Sequence, residues 1–174
     1  MKAIFLDIDG VMNSQDWYRR RTRHPVPRTM DQYNEMEFDP ECVKLLQKII
    51  QETGATIILS STWRLHEDNV KAVEKYCGIK VAYCTPRLPR PAGTSVEYCE
   101  RGKEIQAWID EWSKYVYPNP AKGHIANEPI TRYVIIDDDT DMLPKQQEHF
   151  FHTDNKFGLT EPIAKEVVWY LNKK

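Results

Sequence analysis

Two aspartates one residue apart, Asp7 and Asp9, follow a short apolar run and precede Gly10. In an extended chain, residues i and i+2 project to the same side, so both carboxylates can address one substrate atom from slightly different positions. One carboxylate can attack phosphorus and form an aspartyl-phosphate. The other can protonate the leaving oxygen and later take a proton from water. Gly10 lets the backbone turn sharply just after the pair. Asp137-Asp138-Asp139, with Asp141 close by, closes a second apolar run, and Ser60-Ser61 closes a third. Carboxylates gathered in this number at one end of a sheet repel each other unless a cation sits among them. Hard oxygen donors favour Mg²⁺, which binds through one or two carboxylates plus substrate phosphate. The metal would also offset repulsion between an anionic nucleophile and an anionic phosphate. Aspartate at a strand end is ordinary turn chemistry, so it is the combination with Asp7 and Asp9 that points to a site.

The elements that must position these residues are readable from periodicity. Residues 2–6 form a buried strand stopped by Asp7, and residues 55–59 form another that ends at Ser60. Further strands are expected around 80–83, at 133–136 closing on Asp137, and around Phe150 and Phe151. Asp39-Pro40-Glu41 opens a helix by capping, ring geometry and dipole, and Gly54 stops it. Other helices are expected at about 68–76, 102–115 and 160–171, with Trp108, Trp112 and Trp169 placed in the core. Strands alternating with helices argue for an α/β fold with a parallel sheet covered on both faces. In such a sheet the ligand crevice lies beyond the carboxyl ends of the strands. Residues 13–38 and 84–100 read as irregular insertions into one domain spanning 1–174.

The chain has 174 residues, 24 Lys+Arg against 26 Asp+Glu, and a net charge of −2, which excludes nucleic-acid binding through overall charge. No apolar run approaches the roughly 18–20 residues of a membrane span. The first residues lack the order of a secretory signal. Cys42, Cys77, Cys84 and Cys99 show no C-x-x-C spacing. Reduced thiols and a cytoplasmic location are therefore expected, without a membrane partner.

Phe5-Leu6-Asp7-Ile8-Asp9-Gly10-Val11 resembles the first motif of the haloacid dehalogenase (HAD) superfamily of phosphotransferases. Ile57-Ile58-Leu59-Ser60 resembles its second motif, a hydroxyl that hydrogen-bonds the phosphoryl group, and Ile135-Ile136-Asp137-Asp138 its fourth, which supplies a metal-binding carboxylate. The resemblance spans nearly the whole chain and implies a three-layer Rossmann-like core, with a central, mostly parallel sheet and small cap insertions. It implies Asp7 as nucleophile and Asp9 as acid/base. Mg²⁺ would be held by Asp7, the main-chain carbonyl of Asp9, and Asp138, with Asp137 alongside. Ser60-Ser61-Thr62-Trp63-Arg64, Arg101-Gly102-Lys103-Glu104-Ile105, Asp137 to Met142 and Gly158-Leu159-Thr160 are similar to the small HAD domains of Swiss Army knife RNA-repair proteins. Phage polynucleotide kinase/phosphatase carries a comparable domain. The third motif departs from the usual Lys: Arg101 stands beside Gly102, and Lys103 lies two residues on. Either could neutralise phosphate, Arg as a planar fork and Lys as a point charge. Asp9 disfavours ion pumping and dehalogenation, since P-type ATPases carry Thr there and the dehalogenases lack the second Asp.

Residues 17–28 contain five arginines and no acid, introduced by Trp17 and Tyr18. Arg19, Arg20, Arg21 and Arg23 could guide a phosphorylated nucleotide or nucleic-acid end to the site, the aromatics stacking on a base. They could equally be a solvated loop balancing the acids that follow. Arg87 and Arg90, within residues 86–91, could form the opposite wall. Ser61 and Arg64 join Ser60 as candidate phosphate contacts, although Arg64 could instead anchor a carboxylate. His124, His149 and His152 read as surface residues. The expectation is a Mg²⁺-dependent phosphomonoester hydrolase acting on nucleotide or nucleic-acid terminal phosphates. The alternatives are a phosphoprotein or small-metabolite phosphatase, and a catalytically idle nucleic-acid-binding module.

Overall fold

A computed structural model describes residues 1–23, 27, 29–89, 99–114 and 128–173. Five strands, β1 (Lys2–Leu6), β2 (Thr56–Leu59), β3 (Val81–Cys84), β4 (Arg132–Asp137) and β5 (Phe150–His152), form one sheet in the order β3-β2-β1-β4-β5. Every pairing in it is parallel. The strands alternate between two apolar cores, as a sheet covered on both faces requires. Ile4 and Leu6 of β1 point into one core with Ile57, Leu59, Val134 and Ile136. Ala3 and Phe5 point into the other with Ile58 and Ile135.

Helix α3 (Pro40–Thr53), α4 (Glu67–Cys77) and α6 (Glu161–Asn172) cover the first face. Helix α5 (Arg101–Ser113) covers the second, where Trp108 meets Phe5 edge-on at 5.5 Å. The three-layer α/β architecture read from sequence is therefore present. Asp39 caps α3 by accepting from the Glu41 amide at 3.0 Å, and Gly54 ends it at φ +65°. Only a residue tolerant of the left-handed region stops a helix this way without strain. Trp169 is a correction: it lies 63% exposed, because the buried stripe of α6 runs through Ala164, Val167 and Leu171 instead.

The stretch 13–38, expected to be irregular, contains two short helices, α1 (Gln15–Arg21) and α2 (Met30–Glu35). Ser14 and Thr29 cap them, accepting from Trp17 and Gln32 amides. Asp31 of α2 then joins Lys75 and Tyr76 of α4. Most of the second insertion, including Arg90 and Pro91, lies outside the described residues, as does His124.

The start of α5 is pressed onto residues 142–146. A Cβ at Gly102 would stand 2.5 Å from the Leu143 nitrogen and 2.6 Å from Gln146 Oε1. Gln146, fully buried, donates to the Gly102 carbonyl at 2.9 Å and accepts from Leu143. Gly102→Ala is expected to cost about 1–3 kcal/mol by overpacking, and Gly54→Ala about 1–2 kcal/mol by backbone strain alone, since its surroundings are empty. Urea unfolding midpoints measure both.

Candidate active site

The tips of the strands continue one another's hydrogen bonding, which fixes where the site residues stand. Asp7 N donates to the Ile136 carbonyl at 3.0 Å, Ser60 N to that of Leu6 at 2.8 Å, and Thr153 N to that of Asp137 at 3.0 Å. The chain order changes direction across β1 and β4, so Asp7 and Asp137 flank the point where an open sheet forms its crevice. Asp7, Asp137 and Asp138 each place a carboxylate oxygen within 4.8 Å of the others. Gly10, at φ +70°, gives way to Asp138, whose carboxylate occupies the space a Cβ would need.

Arg101, at the start of α5, faces this cluster. Its guanidinium lies 3.3 Å from Asp7 Oδ1 and 3.4 Å from Asp137 Oδ2. The second contact is a charge pair without hydrogen-bond alignment, so Asp137 Oδ2 is buried with no hydrogen-bond donor. Lys103, the other candidate for the third motif, points to solvent and pairs with Glu100 at 2.9 Å. The arginine is thus the cation that the fold brings to Asp7. Its backbone is held by Asp141, which accepts from the Arg101 amide at 2.7 Å.

Burial dominates the protonation of the cluster. It pushes the Asp7 carboxyl up to about 7, against the lowering effect of Arg101 and of a hydrogen bond from Ser61. Asp137 is pushed up to about 8 by burial and by Asp7, again opposed by Arg101. Asp138 is raised by burial and Asp139. Three carboxylates raised together, one with an oxygen lacking any donor, fit a divalent cation with hard oxygen ligands. The Asp9 carboxylate lies outside this cluster.

Asp9 is exposed and differently held. Asn13 donates to its Oδ1 at 2.9 Å and the Trp63 indole donates to its Oδ2 at 3.0 Å. Asn13 also accepts from the Gly10 amide, and Thr153 Oγ1 donates to the Gly10 carbonyl. These residues escaped the sequence reading. Asn13 carried one signal, an Asx-type turn residue three positions after a glycine. Thr153 reaches the site through tertiary structure and left no local mark, whereas Trp63 and Asp141 stood beside motif residues in sequence and only their hydrogen bonds went unread. His152, expected to be an ordinary surface residue, places Nε2 2.9 Å from the Asp138 carbonyl.

Other candidates lie elsewhere. Ser61 is the hydroxyl beside Asp7, while the buried Ser60 meets Thr85 at 3.4 Å. Arg64 is directed away from the carboxylates. It pairs with Glu104 at 2.5 Å and donates to the carbonyls of Ser61, Thr85 and Pro86. The basic arm is largely engaged at home: Arg19 faces Asp16 at 3.6 Å, Arg20 meets Asp39 at 2.6 Å, and Arg21 meets Glu37 at 2.9 Å. Two of these acids, Glu37 and Asp39, follow the arm in sequence, and Asp16 precedes it. Arg23 is exposed.

A carboxyl that ionises less readily folded than unfolded removes stability as pH climbs from its ordinary value through its raised one. In EDTA, Tm should therefore fall by about 3 °C or more from about pH 5 to about pH 8. Millimolar Mg²⁺ should restore it, most strongly at the higher pH. Asp137→Asn should flatten the decline; differential scanning fluorimetry across pH measures all three.

Residues 3–164 match the family described as the HAD domain in Swiss Army Knife RNA repair proteins, a span that takes in Asp7, Arg101 and Asp137 to Asp141. No curated protein and no solved structure gives a significant match. The sheet, the acid cluster and this span agree on a HAD-type phosphohydrolase domain. The chain belongs to the HAD domains of Swiss Army Knife RNA repair proteins.

Proposed function

We propose that this domain is a Mg²⁺-dependent phosphomonoester hydrolase working through an aspartyl-phosphate on Asp7, acting on nucleotide or nucleic-acid terminal phosphates. The observation that carries it is the unlike treatment of two carboxylates two residues apart. Asp7 is buried against Arg101 and two further acids, whereas Asp9 is exposed and gripped by two neutral N–H donors. Asp7 Oδ attacks phosphorus as the bond to the leaving oxygen breaks, and Asp9 gives that oxygen its proton. Asp9 then takes a proton from water, whose oxygen attacks phosphorus and releases Asp7 with inorganic phosphate. Arg101 and Ser61 stand where they can hold phosphoryl oxygens, and the Arg fork stabilises their charge. Asp7, Asp137 and Asp138 would hold Mg²⁺, with the Asp9 carbonyl alongside, and the ion would neutralise charge on the phosphoryl group.

Support for the substrate class comes from the description of the matched family, which places its HAD domains in RNA repair proteins. The arginines of α1 lend it little, being paired to neighbouring acids, so substrate guidance by this arm would fall to Arg23. A cytoplasmic location is part of the same proposal, supported by four free thiols. Among the described residues, no helix is long and apolar enough to cross a membrane.

A phosphate-release screen with Mg²⁺ over nucleotides, phosphorylated oligonucleotides, phosphopeptides and sugar phosphates tests the reading. Asp7→Asn and EDTA should each lower turnover by about 10³-fold or more; full turnover in either would sink the mechanism, and preference for a phosphopeptide would sink the substrate class. Arg101→Ala should lower kcat/KM by about 10²-fold, and Lys103→Ala by less than about twofold. Trp63→Phe should lower kcat by about tenfold with KM little changed, because it frees one oxygen of the acid/base.

A further inference from the structure

The concave surface does not stop at the catalytic cluster. Beside Arg101 a cleft of about 490 Å³ runs between residues 62–65, residues 87–89 and the start of α5. That volume lies in the range that holds small organic ligands. A larger depression, about 740 Å³, lies around Met1, Ala55 and Lys80 at the amino ends of the strands, away from the chemistry. The cleft, by contrast, shares Arg101 with the nucleophile, and Asp139 also lines it.

Its walls are built by one buried ion pair. The Arg64 and Glu104 side chains are 5% and 8% exposed. Such a pair pays a desolvation penalty that its own attraction scarcely recovers, so its worth lies in what it positions. Arg64 holds the carbonyls of Ser61, Thr85 and Pro86, and Glu104 accepts from the Leu88 amide at 3.1 Å. The turn after β2, the segment after β3 and α5 are thereby locked around the cleft. Arg64 is thus a positioning residue.

The lining shows what fits. Leu65, 40% exposed, and Leu88 and Pro89 offer an apolar wall, with Arg87 and Arg101 lining the same cleft. Asp141 also lines it, turned to the Arg101 amide. A flat apolar ring beside one phosphate at Arg101 and a second at Arg87 matches this combination. We infer that the cleft is the leaving-group subsite of the phosphatase and takes a nucleoside bearing a second phosphate, as in a nucleoside bisphosphate or the last linkage of a phosphorylated strand. This rests on the phosphatase reading above and specifies its substrate.

The test uses adenosine 3′,5′-bisphosphate against glycerol 2-phosphate, with Cys99, which lines the cleft, as a reporter. The bisphosphate should be preferred in kcat/KM by about 10²-fold, and Leu65→Asp and Arg87→Ala should each reduce that preference about tenfold. In a Cys84→Ser background with EDTA present, the bisphosphate should slow alkylation of Cys99 by iodoacetamide several-fold, and glycerol 2-phosphate should not. Asp7-dependent phosphate release with an unmoved preference and unprotected Cys99 would overturn the cleft assignment alone. Protection of Cys99 without phosphate release would overturn the phosphatase reading and leave the cleft standing. Protection by a phosphotyrosine peptide but not by the bisphosphate would overturn the nucleoside as its occupant.

Discussion

Mutual repulsion among buried carboxylates is the constraint around which this molecule is arranged. Asp7, Asp137 and Asp138 converge because parallel strands must end side by side, and nothing in the sheet itself offsets their charge. Among the described residues the fold answers with one cation of its own, Arg101, and leaves Asp137 Oδ2 without a donor. Carboxyls in that condition are reluctant anions, and a divalent ion turns the reluctance into ligand strength. The placement of α5 follows from the same need. Gly102 lets the helix start lie against residues 142–146, and Asp141 ties down the Arg101 amide, so the arginine arrives with its backbone fixed.

Much of the charge elsewhere is settled by pairing. The arginines of α1 fold onto Asp16, Glu37 and Asp39, and Arg64 meets Glu104 beneath the surface. Such pairs recover little net stability, whether screened by water or desolvated, but they choose one arrangement among many for a polar segment. In the insertion after β1 they settle α1 against the cap residue of α3. Around Arg64 they settle three segments that share no sheet.

Much of this was legible in the sequence, and the reason is periodicity. Both faces of the sheet are buried, so its strands read as short apolar runs, and each run that matters ends in Asp or Ser. The acids of the cluster were therefore visible by type and place. The third-motif position stayed open between Arg101 and Lys103 because the choice depends on which face of α5 meets the sheet, and the helix begins at that very residue. The insertion at 13–38 hid its helices because arginine-rich and acidic turns carry no apolar stripe. Trp169 misled for the converse reason: it sits at helical spacing among apolar residues, yet just outside the stripe that is buried. The bond from Trp63 to Asp9 was out of reach, since a hydrogen bond from another strand's turn has no signature in spacing.

The position of β1 in the middle of the sheet has a consequence for how the protein is made. The strand β1 is synthesised before β4, but its Asp7 amide is satisfied by Ile136 on β4. That partner leaves the ribosome about 130 residues later, or roughly ten seconds at ordinary elongation rates. Through that interval a strand of Ala3, Ile4, Phe5 and Leu6, fully buried in the finished domain, has an open edge. The nascent chain thus carries an apolar strand with an open edge until β4 is made, and the site is assembled only when β4 closes beside β1.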